Sequence, residues 1–294
     1  MPGAGVKILN KRIRSVNSTK QITKAMKMVA AAKLNRSQGR MLAARPYSQK
    51  LIKLVEQLAG ASDGANPLFE VREVKRRLYV VITSDKGLCG SYNMNLIKLA
   101  QKTIDASVES GVETTLLTVG KKAGDYFDKR GYQVVERHDD YNGDATAQRG
   151  QDVGDHIVDA FLDETVDEVR VIFAEFISTM TQQATDRPVL PIAPEDTVGD
   201  GDDDDDQADQ LDYIWEPGKG QLFDVLLPLY LRNRVFMTLM EAFTSEHAAR
   251  MTSMSAATEN AGELIDALTL QRNRERQAAI TAELLDIVGG ANAL

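Results

Sequence analysis

The chain is poor in the residue types that mark several large classes of protein. It has one cysteine, Cys89, so no internal disulfide can form, which fits a reducing compartment. It has three histidines, His138, His156 and His247, and none sits at i, i+4 from another metal ligand, which leaves metal catalysis without support. No apolar run approaches the ~18 residues needed to cross a bilayer, and the first residues, MPGAGVKILNKRIRSV, lack the apolar stretch of a secretory signal. Aromatics make up only 6% of the 294 residues, and none interleaves with the N-terminal cations before Tyr47. The 43% of hydrophobic residues is nonetheless ordinary for a folded chain, which excludes wholesale disorder.

Charge is present but segregated. Residues 1–58 carry 13 Lys or Arg against the single acid Glu56, a local charge of +12. The overall charge of −8 therefore leaves −20 for the remainder. Much of it lies between Asp186 and Glu216, where 12 acids meet only Arg187. Such segregation reports on partners and exposed segments more than on fold.

Proline and glycine are scarce at both ends, and this predicts two long helices. From Ile8 to Leu58 the only glycine is Gly39 and the only proline Pro46. Apolar residues recur at steps of three and four: Leu9, Ile13, Val16, Ile22, Met26, Val29, then Leu51, Leu54, Leu58. Pro46 predicts a kink or short break. Residues 222–289 repeat the pattern, with Val235, Leu239, Phe243, Met254, Leu264, Leu268, Ile280, Leu284 and Ile287 at helical spacing before Gly289–Gly290. At ~1.5 Å per residue these would be rods of roughly 80 and 100 Å. Two such rods bury their stripes best against each other, as an antiparallel two-helix coiled coil. Judged by residue type the heptads are irregular and rich in Ala and Ser, which suits a narrow, closely packed coil.

The middle changes period. RLYVVITS (77–84), TTLLTVG (114–120), YQVVERH (132–138) and VRVIFAEF (169–176) read as strands, with helices at 93–109, 121–130 and 151–164 between them. The fold class is therefore α/β with long terminal helices: the coil plus a small, mostly parallel, Rossmann-like α/β domain. The expected division is 1–58 N-terminal helix, 75–195 α/β domain, 196–212 acidic loop and 213–294 C-terminal helix. The acidic loop, with its run 200–206, reads as a solvated excursion; consecutive Asp lack the spaced ligands of a calcium loop.

Three motifs invite a chemical reading. SDKGLCGSYN (84–93) lies between a strand and a helix, where α/β folds hold phosphates, but its glycines match neither the dinucleotide fingerprint nor the P-loop, so a tight turn is favoured. SEHAARM (245–251) puts Ser245, Glu246 and His247 on consecutive helix positions, which diverge by ~100° and cannot form a triad. The basic N-terminal helix could neutralise phosphates of a nucleic acid, but its charges go almost all round the helix. A cationic rod meeting an acidic protein surface is the more economical reading. A nucleotide-binding enzyme with helical arms and a nucleic-acid-binding coil stay open as alternatives at this stage.

The two ends carry a resemblance. NSTKQITKAMKMVAAAKLNRSQ (17–38), FTSEHAARMTSMSAATENAGELI (243–265) and RQAAITAELLDIVGGANAL (276–294) resemble the terminal signatures of F-type ATP synthase gamma subunits of bacterial type, and GLCGSYN (87–93) also fits. The resemblance implies a non-catalytic central rotor shaft, without cofactor or metal, that couples transmembrane proton flow to ATP synthesis. The implied partners are alpha and beta subunits around the coil, and epsilon and a membrane ring of c subunits at its base. Nucleic acid is not among them, and membrane association would come only through the c ring, as a peripheral protein on the cytoplasmic face of the cell membrane. Positions matching the family's beta-subunit contacts are Met26, Arg250, Gln277, Thr281 and Asp286. Arg272 and Glu275 stand where the family usually has an aromatic and Ala, the run 200–206 looks like an insertion, and the cysteine pair of plastid members is absent.

Overall fold

A computed structural model of the chain describes residues 4–59, 66–192, 216 and 218–292. The acidic loop 196–212 and the last two residues lie outside them. The element order is α1 (Ala4–Ala59), β1 (Arg76–Ile82), α2 (Tyr92–Glu109), β2 (Glu113–Val119), α3 (Lys121–Asp128), β3 (Val134–His138), α4 (Ala147–Leu162), β4 (Glu168–Phe176), β5 (Gln182–Leu190) and α5 (Lys219–Asn292). Contacts divide the chain into two units. One comprises Met1–Ala32 with Arg250–Leu294, the other Lys33–Ala249.

In the larger unit the strands form one sheet in the order β3-β2-β1-β4-β5. The four strands from β1 to β4 run parallel, and β5 closes the edge antiparallel to β4. The strand side chains alternate, so one sequence feeds two cores. Leu78, Val80 and Ile82 of β1 enter a core shared with α4 and with Leu51, Val55, Leu58, Phe223, Leu239 and Phe243 of the long helices. Tyr79 and Val81 face the other way, into a core shared with α2 and α3. A sheet covered on both faces explains why its strands read as nearly unbroken apolar runs.

Two expectations need correction here. The segment Gln182–Leu190 forms a strand that the sequence does not announce, because QQATDRPVL is polar and contains Pro188. An edge strand tolerates both features, since one of its sides has no neighbour to donate to; Pro188 pairs with Arg170 beside a register shift at Val169/Arg170. The second concerns Pro46: of the kink or short break expected there, the break is absent, since α1 runs through it. The missing N–H removes one helical bond, but Leu51, Val55 and Leu58 beyond it are almost fully buried and hold the helix in place.

The smaller unit pairs the first part of α1 with the last part of α5. As α1 advances through Gly5, Lys20, Thr23 and Lys27, its neighbours on α5 recede through Glu275, Gly262, Thr258 and Ser255. The two helices are therefore antiparallel. Along both helices covered positions recur at steps of three and four: Val6, Leu9, Ile13, Val16, Lys20, Thr23, Met26 and Ala30 on α1, and Met254, Thr258, Ala261, Ile265, Leu268, Arg272 and Glu275 on α5. Asn10 on α1 and Ser255, Gly262, Thr269 and Asn273 on α5 are partly covered as well, so the seam is not a plain two-position heptad. Ile22 and Val29, assigned to the stripe from spacing alone, are instead 59% and 58% exposed. Hydroxyls and lysine or arginine stems take the covered places, which no hydropathy count rewards.

Candidate subunit-contact surface

The five residues singled out by sequence fall in α5 or α1 of the smaller unit, in two groups. Met26 is half-buried beside the seam, and Arg250 is half-buried at the start of the unit's α5 segment. Lys27 Nζ donates to Ser255 Oγ at 3.0 Å, which fixes the local register. Met26 and Arg250 thus lie within about two helical turns of each other along the pair. Next to them, Thr23 donates to the Lys20 carbonyl at 3.1 Å, and the Thr258 hydroxyl lies 2.8 Å from Thr23 Oγ1 and 2.7 Å from the Met254 carbonyl. These hydroxyls satisfy one another inside the seam, so two narrow helices meet closely without leaving a polar atom stranded.

Gln277 and Thr281 form the second group, about 40 Å farther along α5 at 1.5 Å per residue. Both are exposed, one turn apart on one face. The Thr281 hydroxyl donates to the Gln277 carbonyl at 3.0 Å, which leaves its oxygen lone pairs and the whole Gln277 amide facing outward. Asp286 lies in α5, but its side chain is outside the described residues. The structure therefore does not gather the five residues into one cluster.

Beyond Glu275, which faces Gly5 near the start of α1, α5 continues to Asn292. That stretch exposes Ile280 (50%), Leu284 (57%), Leu285 (67%), Ile287 (64%) and Val288 (55%). Five large apolar side chains within nine residues are a surface suited to burial in a partner. Helical spacing alone places Ile280, Leu284 and Ile287 in the inter-helix stripe. They are exposed because this stretch lies past the residue that faces the beginning of α1.

The SDKGLCGSYN turn and the Ser245–Glu246–His247 run lie in the larger unit, and each has a structural role. Asp85 of the SDKGLCGSYN turn accepts backbone N–H groups from Lys121 (3.1 Å), Asp140 (3.0 Å) and Asn142 (2.6 Å). Asn93 Oδ1 accepts from the Ser84 N–H at 3.0 Å, and Leu88 and Gly90 take φ of 64° and 61° to make the tight turn. Ser245, Glu246 and His247 are buried, with His247 Nε2 at 2.9 Å from the Gly143 carbonyl. His138 is held below its ordinary pKa, chiefly because burial penalises its charged form. Burial likewise pushes the Tyr141 phenol up to about 12. Among the described residues no group of three or more His, Cys, Asp or Glu could hold a metal ion, and no helix is long and apolar enough to cross a membrane.

Comparison with known proteins decides between these readings. Residues 5–294 match the family model described as ATP synthase. The ATP synthase gamma chain of Geobacter sp. (strain M21) is 43% identical over 292 residues, covering 99% of both chains. That of Moorella thermoacetica is also 43% identical over 292 residues, with 99% of each covered. The chain belongs to the ATP synthase gamma-chain family.

As a gamma chain it is a non-catalytic subunit of an ATP synthase, which sets aside the nucleotide-binding-enzyme reading. Its fold is also that of a chain in the Euglena gracilis mitochondrial ATP synthase, OSCP/F1/c-ring, rotational state 3, with a TM-score of 0.69 at 22% identity, covering 99% of this chain and 95% of that one. A chain of the rotor of the same enzyme in rotational state 1 gives 0.64 at 21% identity, covering 95% and 100%. What sequence reasoning missed in the gamma chain is the hydroxyl seam of Thr23, Ser255 and Thr258. Its one signal was the Ser and Thr content of 17–23 and 252–258.

Proposed function

We propose that this gamma chain is the central rotor shaft of a bacterial F-type ATP synthase, turning inside a ring of alpha and beta subunits and coupling transmembrane proton flow to ATP synthesis. The observation that carries the reading is the exposed apolar end of α5, Ile280 to Val288, on a helix whose preceding stretch is paired with α1. An end of this kind suits a hydrophobic sleeve in which it can turn, because apolar contact has no directional preference. Around it, Gln277, Thr281 and Asp286 would meet one beta subunit through hydrogen bonds, and Met26 and Arg250 would meet another level of the ring by packing and by pairing with acidic groups. The exposed cations Lys7, Lys11, Arg12, Arg14 and Lys24 of α1 suit an acidic facing surface. Each orientation of the shaft would contact the three beta subunits unequally, and that difference in contact energy is what biases their open and closed states. The base would join epsilon and the c ring, at the cytoplasmic face of the membrane.

The decisive experiment attaches a bead to the α/β region. Cys89 is buried, so Cys89→Ser with Ser110→Cys at an exposed site gives a single handle. With the alpha and beta ring fixed to a surface and ATP supplied, the bead should turn in one direction. Sustained ATP hydrolysis with only random motion of a firmly attached bead would end the rotor reading.

A further inference from the structure

We propose that a cationic cavity in the larger unit binds a small phosphate-bearing anion, a diphosphate or triphosphate. The cavity measures about 340 Å³ and lies between α1, the loop 140–145, the start of α4 and His247 of α5. Lys33, Arg36 and Arg40 of α1 line it together with Arg149 of α4, against the carboxylates Asp140 and Asp144. The excess is two positive charges. Asp140 is already bound by Lys121 at 2.8 Å, and Asp144 by Arg40.

The other three cations meet no carboxylate among the described residues. Lys33 Nζ donates to the Asn142 carbonyl at 3.2 Å. Arg149 donates to the Tyr141 and Asp144 carbonyls, and its guanidinium lies 4.5 Å above the Tyr141 ring. Arg36 is exposed and has no hydrogen bond or ion pair among the described residues. The lining itself carries four cations against two carboxylates, and a multiply charged anion would neutralise that local excess. Guanidinium forks match phosphate oxygens in pairs, and the start of α4, which runs for 16 residues from Ala147, adds its dipole. The volume exceeds what one carboxylate would fill and lies within the range of small-molecule sites.

The cavity is also preformed. Asp85 holds the Asp140 and Asn142 N–H groups, and His247 holds the Gly143 carbonyl from below. Gly143 has φ 70°, and a Cβ there would lie 2.5 Å from the His247 ring, so the loop can take this shape only with glycine at that point. A loop fixed in advance loses little entropy when a ligand arrives.

The test is calorimetric titration of the full chain with pyrophosphate at low salt. Saturable one-to-one binding is expected, weakened roughly tenfold or more in Arg36→Ala and in Lys33→Gln, as expected for lost charge-assisted bonds. Arg36 is exposed and has no hydrogen bond or ion pair among the described residues, so its replacement should leave the melting temperature unchanged. The control Lys98→Gln/Lys102→Gln removes two exposed charges of α2 and should bind like the wild type. Tighter binding of ADP than of pyrophosphate would assign the site to a nucleotide, and equal binding to the phosphate groups alone. No saturable binding, equal weakening by the α2 control, or binding of an acidic peptide but not of pyrophosphate would each overturn the proposal.

Discussion

Asp167 offers a quantitative test of how the sheet is fastened. It stands just before β4 and is 6% exposed. Its Oδ2 accepts the N–H groups of Lys75 (3.0 Å) and Arg76 (2.8 Å), and its Oδ1 accepts from the Arg76 guanidinium at 3.2 Å. Its own N–H donates to the Arg76 carbonyl at 2.8 Å, so one residue ties the entry of β4 to the entry of β1. Burial alone would raise its pKa, but the backbone donors of Arg76 and Lys75 and the Arg76 charge outweigh burial and hold it below the ordinary aspartate range. Asp167→Asn keeps the shape, turns two charge-assisted bonds into neutral ones and points an amide donor at a guanidinium. At about 1 kcal/mol for each weakened bond and about 1 for the bond lost at the half-exposed Arg76, the cost is about 3 kcal/mol. Calorimetry at pH 7 should then show a melting temperature lower by about 6–12 °C, at ~2–4 °C per kcal/mol for a unit of this size. The sign of the pH dependence follows from the lowered native pKa. The stabilisation is fully present above the unfolded value, near 3.9, and is lost as pH falls through the native value. Wild type and variant should therefore begin to converge below about pH 4 and go on converging as pH falls. A gap that stays constant down to pH 3, or none at pH 7, would refute the reasoning.

Three further outcomes follow from packing. Leu268 is 6% exposed and Leu264 is 41% exposed, so Leu268→Ala should cost about 2–4 kcal/mol and Leu264→Ala under 1, and equal costs by urea denaturation would contradict the register given for the pair. Gly150 faces α5 so closely that an added Cβ would lie 2.6 Å from the Phe236 Cβ; Gly150→Ala should destabilise by about 1–3 kcal/mol, and an unchanged unfolding midpoint would contradict that contact. Gln277→Ala with Thr281→Ala touches only exposed groups, so thermal stability should hold while ATP-driven proton pumping of the assembled enzyme falls several-fold. Retention of full pumping would remove these two residues from the proposed beta-subunit contact.

By itself the sequence determined the elements. Period and composition marked both terminal helices, the four strands β1 to β4 and the helices between them, because burial on one or two faces imposes a repeat of 3.6 or an apolar run of fixed length. The dense terminal signatures carried the family, since a surface that must fit its partners leaves little freedom in residue choice. Other features appeared only with the tertiary structure. Strand β5 owes its existence to β4 beside it and not to its own polar residues. The seam between α1 and α5 takes Thr23, Thr258, Lys20 and Arg272 as covered positions and leaves Ile22 and Val29 outside, because pairing in register outweighs the preference of any single side chain. Arg149, His247 and Asp85 come together with Lys33, Arg36 and Arg40 around one cavity although more than 200 residues separate the ends of that set. Such a gathering has no period and no spacing to read, since it depends on where separate elements end in space.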